Sequence, residues 1–219
     1  YMMNLALEEF GCLERSRTHC IPFGVNLDHL PALAPEKPPL DRLELLFIGK
    51  DWQRKGGKTA VEAADRLLAE GRDVRLTVIG PREADVPDHP ALEYLGFLDK
   101  NKSEERTRLA AALDRAHVFL LPTQADCTPM VVAEANAHGC PVLITDVGGM
   151  PSLMEPGSNG VMLPPGADGQ AYAAAVLAIT NDAVAYRRLS ETSFEHCHAR
   201  LSWKAWAENM KIKIEQVLS

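Results

Sequence analysis

From residue 43 onward, short runs of apolar residues alternate with longer stretches whose apolar positions recur every three or four residues. The runs read as buried strands and the stretches as amphipathic helices. Strands are expected at Leu43–Gly49, Val74–Gly80, Leu92–Leu98, His117–Leu121, Pro141–Thr145 and Gly160–Leu163. Helices are expected over 57–70, where Ala60, Val61, Ala64, Leu67 and Leu68 share a face, and over 103–116, 168–180, 182–198 and Trp203–Leu218. A short helix follows the turn Gly148-Gly149-Met150-Pro151, and another opens the chain over 1–17. Strands alternating with helices over short connections imply an α/β fold, a parallel sheet wrapped on both faces. Such sheets bind ligands at the carboxyl ends of their strands. Gly49, Gly80, residues 122–128 and Gly148 all fall on that edge.

The chain before residue 43 reads differently. His19 to Val25 is extended and interrupted by Pro22, and residues 31–42 carry Pro31, Pro35, Pro38 and Pro39. The latter composition marks a linker. The expected division is 1–30, a Pro-rich linker at 31–42, a main domain at 43–200 and a terminal helix within 201–219.

One stretch concentrates the punctuation. After the apolar run His117–Leu121, the loop Pro122 to Cys127 leads to Thr128, a good helix N-cap. Pro129 suits the first helical position, and Gly139 suits the left-handed stop. A strand feeding a helix start in this way favours an anion, through free first-turn N–H groups and the helix dipole. Asp126 precedes that turn. Glu134 lies four residues after Met130 and three after Val131, so it rises on the same face. The bland alternatives are an exposed helix charge for Glu134 and a loop stabiliser for Asp126.

A second loop adds charge. Gly49-Lys50-Asp51-Trp52-Gln53-Arg54-Lys55-Gly56-Gly57 combines glycines, which let backbone approach a ligand, with cations that neutralise phosphate. Neither a Gly-x-Gly-x-x-Gly fingerprint nor a P-loop is present, which argues against a standard dinucleotide fold. Trp52 could border a pocket or cap a helix. The net charge of −7 disfavours a nucleic-acid partner. Cys12, Cys20, Cys127, Cys140 and Cys197 are odd in number and form no Cys-x-x-Cys pair, which fits reduced thiols in a cytoplasmic compartment. Cys127 and Cys140 read as small buried thiols. His196-Cys197-His198 is too tightly spaced to ligate one ion through all three side chains, and reads as surface or partly buried.

Together these residues resemble the C-terminal half of the GT-B glycosyltransferases of family GT4, the retaining, glycogen-synthase-like group. Gly49-Lys50 through Lys55-Gly56 matches that family's Gly-Arg-x-x-x-x-Lys-Gly. Asp126 and Glu134 match its Glu-x7-Glu. Glu134-Ala135-Asn136-Ala137-His138-Gly139-Cys140-Pro141-Val142, Thr145 to Pro151, Leu163-Pro164-Pro165-Gly166 and Pro22-Phe23-Gly24-Val25-Asn26 match further motifs in the right order.

The resemblance implies a Rossmann-like donor-binding domain for a nucleotide sugar such as a UDP-, GDP- or ADP-sugar, without an obligatory metal or other cofactor. Lys50 and Lys55 beside Gly49 would hold the diphosphate, with backbone N–H groups of Met130 and Val131 and the Thr128 turn. Glu134 would take the ribose hydroxyls and Asp126 the transferred sugar. Gly80, Phe97 and Leu98 would line the nucleobase pocket. Asp126, Glu134 and Lys55 are the implied catalytic set. Two departures stand out: Lys50 where an Arg is usual, and Asp126 where a Glu is usual. Residues 1–18 resemble the last helix of an acceptor domain that this sequence lacks, and Trp203–Leu218 the helix that packs back onto it. The acceptor, whether glycan, lipid or small molecule, and any peripheral membrane contact would belong to that domain. An epimerase acting on the same donors and a non-catalytic nucleotide- or carbohydrate-binding module share the same implied fold.

Overall fold

The computed structural model describes residues 9–10, 14–155 and 157–218. Six strands form one sheet: β1 (Arg42–Ile48), β2 (Asp73–Ile79), β3 (Leu92–Gly96), β4 (Val118–Leu121), β5 (Val142–Thr145) and β6 (Gly160–Leu163). They run in the order β3-β2-β1-β4-β5-β6, all parallel. Leu45 of β1 lies between Leu76 of β2 and Val118 of β4. The helices are α1 (Gly57–Ala69), α2 (Ser103–Arg115), α3 (Met130–Ala137), α4 (Gly169–Thr180), α5 (Ala183–Arg200) and α6 (Trp203–Leu218). The expected helix over 1–17 lies largely outside the described residues; Arg15–Arg17 form a single 3-10 turn.

Strand alternation sorts the core into two layers. Leu43, Leu45 and Phe47 join Leu76, Val118 and Leu120 under α1 and α4, against Ala60, Ala64, Tyr172 and Val176. Leu46 joins Phe119, Leu121 and Ile144 on the other face, against Leu113 of α2, Val132 of α3 and Cys197 of α5. Each fully buried leucine contributes roughly 1.5–3 kcal/mol relative to exposure. Both faces are thus consumed, which leaves the carboxyl edge for function. The sheet order reverses between β1 and β4, so a crevice opens there between the loops that follow them. Among the described residues, no helix is long and apolar enough to cross a membrane.

The Pro-rich segment is fastened to this unit. The Lys37 ammonium donates to the carbonyls of Leu113 and Asp114, both at 3.0 Å, at the C-terminal end of α2. Pro38 offers its carbonyl to Nε2 of His117 at 2.8 Å, while Nδ1 of His117 accepts the Glu44 N–H at 3.0 Å. His117 is fully buried, and burial holds its pKa below the ordinary 6.5. A histidine kept neutral in the fold but free to protonate when unfolded confers stability above pH 6.5 that is lost as pH falls through the folded value. The chain should therefore lose on the order of 1 kcal/mol between pH 7.5 and 5.5 through this residue. Urea midpoints measured across that range should fall less steeply in His117→Gln than in the wild type.

The entering segment and the last helix also meet. The Val25 N–H donates to the Leu201 carbonyl at 2.7 Å, and Gly24 lies so close to Trp203 that a Cβ there would stand 2.5 Å from its ring. Phe23, Trp203, Ile214 and Val217 leave apolar surface exposed along this side.

Candidate functional site

The two loops flanking the crevice are laced together by backbone. The loop after β1 turns at Gly56, whose φ of +80° is left-handed and sets the start of α1. A Cβ there would overlap the Pro122 carbonyl. The Arg54 carbonyl accepts the Gln124 N–H at 2.8 Å and lies 3.1 Å from the Thr123 hydroxyl. The Arg54 guanidinium returns a bond to the Ala125 carbonyl at 2.8 Å. The exits of β1, β2 and β3 are joined in the same manner: Gly49 N–H donates to Ile79 and Gly80 N–H to Gly96, both at 2.9 Å.

Between these loops lies a cleft of about 430 Å³. Its floor is apolar, from Ile48, Ile79 and Leu98, and its rim carries Lys50, Arg54 and Lys55. Gly49, Gly80, Phe97, Met130, Val131 and Glu134 line it as well, which gathers most of the residues singled out from the sequence into one place. Lys50 sits 4.3 Å over the ring of Phe97, a cation–π contact at the mouth. First-turn N–H groups of a helix lack intrahelical partners, so Met130 and Val131 present donors on the wall of the cleft.

Glu134 is 1% exposed. One of its oxygens, Oε1, is ion-paired with the Lys100 ammonium, and Oε2 has no hydrogen-bond partner in the protein. Burial drives its pKa up, and the Lys100 charge and hydrogen bond pull it part of the way back. Lys100 was not among the residues singled out from the sequence. It stands in an undistinguished Asp-Lys-Asn-Lys run, and only the fold of the loop after β3 brings it to α3.

Asp126 faces a second cleft of about 670 Å³, with Asp146 and Gly148 on its other wall. Its carboxylate is ion-paired with Lys55 and stands 3.9 Å from the Arg54 guanidinium. The Lys55–Asp126 pair therefore sits at the partition between the two clefts, since Lys55 lines the first and Asp126 the second.

Several local expectations are corrected. Helix α3 begins at Met130, and Pro129 rather than Thr128 occupies the N-cap position, with extended backbone and no side-chain cap. The Gly148-Gly149 turn abuts the carbonyls of Asp126 and Cys127, and the Gly149 N–H donates to Asp126 at 3.1 Å. Thr128 lines neither cleft. The stop at Gly139 is as expected: its N–H donates to Asn136 and that of Cys140 to Ala135, both at 2.9 Å. Trp52 turns away from the cleft and packs edge-on to Phe47, centroids 5.4 Å apart, against the start of α1. Cys140 is buried but Cys127, on the loop beyond the sheet edge, is exposed. His196 and Cys197 are buried against the core side of α5.

Known proteins share this fold. The family profile described as "Glycosyl transferases group 1" matches residues 42–182. A glycogen synthase of Mycobacterium tuberculosis is 28% identical over 185 residues, covering 80% of this chain and 42% of that protein. The "Putative colanic acid biosynthesis glycosyltransferase WcaL" of Salmonella typhimurium is 33% identical over 161 residues, covering 67% of this chain and 37% of that protein. Sucrose-phosphate synthase from Thermosynechococcus elongatus superposes with a TM-score of 0.71 at 23% identity, over 98% of this chain and 56% of that one. Anabaena HepE, solved in complex with UDP and glucose, superposes with a TM-score of 0.62 at 17% identity, over 79% of this chain and 48% of that one. The chain spans about two fifths of the length of these two curated relatives. With the sheet order, the crevice at its reversal point and the profile match in agreement, the chain belongs to the glycosyl transferases group 1 family.

Proposed function

We propose that this chain is the donor-binding domain of a retaining glycosyltransferase that takes a nucleotide-diphosphate sugar. The observation that carries the reading is the first cleft. It places an apolar floor, a rim of Lys50, Arg54 and Lys55, the free N–H groups of Met130 and Val131, and the buried Glu134 around one space. A nucleobase fits the floor of Ile48, Ile79 and Leu98 beside Gly80 and Phe97. The ribose hydroxyls donate to Glu134, whose Oε2 has no other partner. The diphosphate lies between the lysines and the helix start, where backbone donors and cations favour it.

In this reading Lys55 leaves Asp126 for the diphosphate when the donor enters, and Asp126 accepts from the sugar hydroxyls. The bond between the sugar and the leaving phosphate then breaks with oxocarbenium character on the sugar. Charge accumulating on the nucleotide is met by Lys50, Lys55 and the dipole of α3. A hydroxyl of the acceptor, which a further domain would hold, attacks the anomeric carbon from the face the nucleotide leaves and passes its proton to the departing phosphate oxygen. The free cysteines Cys20, Cys127, Cys140 and Cys197 favour a reducing, cytoplasmic setting for the reaction.

Calorimetric titration of UDP, GDP and ADP, each with and without an attached sugar, tests this. Saturable binding of at least one is expected, and none at millimolar nucleotide would sink the reading. Asp126→Ala should weaken only the sugar-bearing forms, by about tenfold, the loss of one hydrogen bond to a charged group. Bare nucleotide should bind as well or better, because the substitution releases Lys55. Equal weakening of both forms would reject the sugar role.

A further inference from the structure

Glu134 is an acid almost without exposure, and its nearest cation comes from a loop, not from its own helix. We propose that Lys100 is a positioning residue for Glu134, holding its Oε1 and keeping it an anionic acceptor so that Oε2 is free for a donor hydroxyl. The proposal rests on the donor-binding reading for its function, but its physical core concerns the empty protein.

Three observations carry it. Lys100 and Glu134 line the same cleft and are ion-paired there. The pair uses only one carboxylate oxygen; the other, buried and unpartnered, remains as an acceptor. The Lys100 ammonium also reaches the Asn26 carbonyl at 3.4 Å, and its own carbonyl accepts from Arg106 at 3.4 Å. Lys100 is thus held at its ammonium and at its backbone carbonyl.

A protonated carboxyl would occupy one oxygen with its own proton and compete as a donor, whereas the ionised form only accepts. Burial favours the protonated form, and an opposite charge in contact favours the ionised one. Other charged groups around Glu134 do not replace Lys100. Lys50, Arg54 and Lys55 face the cleft from the loop after β1, but Lys50 lies over Phe97 and the other two address Asp126. His138, at the C-cap of α3, acts in the same direction as Lys100 but more weakly, and its Nδ1 is bonded to Asp114 of α2 at 2.6 Å. From α5 the group in contact with α3 is the Cys197 thiol, bonded to the Ala133 carbonyl, with a pKa pushed up to about 12 by burial. From the sheet beneath, β5 presents Val142 and Ile144, which carry no charge.

The test follows the Glu134 carboxyl in the ligand-free 219-residue chain by carbon-13 NMR on glutamate-labelled protein, its signal assigned by its absence in Glu134→Gln. Lys100→Met should raise the titration midpoint by about one pH unit or more, Lys100→Gln should do the same, and Lys100→Arg should restore it. In parallel, UDP, GDP and ADP are titrated from pH 5.5 to 9. In Lys100→Met the affinity should be lost at higher pH than in the wild type and recover to within threefold of it at pH 9. An unmoved carboxyl midpoint in the folded variants would overturn the proposal. So would a loss of affinity equal at every pH, which is the mark of a direct phosphate contact. If the wild type binds no nucleotide, the donor-binding reading fails, and the ligand-free titration still decides whether Lys100 sets the charge of Glu134.

Discussion

Glu134→Ala should weaken nucleotide binding by about a hundredfold or more, the largest functional effect of any single substitution in the cleft. A buried carboxylate accepting two ribose hydroxyls makes charge-assisted hydrogen bonds, each contributing about 1.5–3 kcal/mol. A loss of about 3 kcal/mol corresponds to about two decades in affinity. The fold should survive, because the residue removed is a buried charge whose desolvation opposes folding. The cation left behind, Lys100, has 32% of its side chain exposed and can turn to water. Calorimetry with UDP, GDP and ADP, alongside thermal melting, separates the two effects. Affinity within threefold of wild type would remove Glu134 from the binding site, whatever the melting temperature.

Gly56→Ala should produce a large loss of stability. The position needs a left-handed backbone, unfavourable by roughly 1–2 kcal/mol for any residue with a Cβ. A Cβ there also overlaps the Pro122 carbonyl at the exit of β4, so the two loops must part. Together these should cost about 3 kcal/mol, a fall in melting temperature of about 6–12 °C for a chain of this size. Gly71 supplies the control. Its φ of +79° is nearly the same, but nothing lies within 4 Å of its would-be Cβ. Gly71→Ala should therefore show the backbone penalty alone. Equal losses at the two positions would mean that the lacing of the loops contributes nothing.

Much of this architecture was legible in the sequence, because two periodicities are hard to confuse. Leu43, Leu45 and Phe47 against Leu46 announce a strand buried on both faces, and the structure sends them to the two core layers. The loop at 49–57 and the acids Asp126 and Glu134 were legible through local spacing, since each is tied to a strand exit or a helix face. What stayed hidden depends on partners distant in the chain. Glu44 reads as the polar position of a strand, yet it is buried, with Arg115 at 3.2 Å and Arg75 at 3.7 Å. Lys100 has no signal of its own until α3 lies beside it. Thr128 has the side chain of an N-cap, but the helix begins at Met130, with Pro129 in the cap position. Pro31 to Pro39 look like a free linker, and it is Lys37 and His117 that fasten them.

The sheet order also has a consequence for how the protein is made. β1 is a central strand whose two neighbours come from very different distances, β2 soon after it and β4 only beyond Arg115. As the chain emerges from the ribosome, β1, β2 and β3 can pair while one side of β1 still lacks its partner. That open edge carries Leu43, Leu45, Leu46 and Phe47, an apolar segment of high β-propensity and therefore prone to pair with other chains. The crevice exists only once β4 has docked and closed the edge. The strand junction that creates the crevice is thus the seam at which the β1 edge closes; the open edge then passes to β4 and on to β5, until β6 docks.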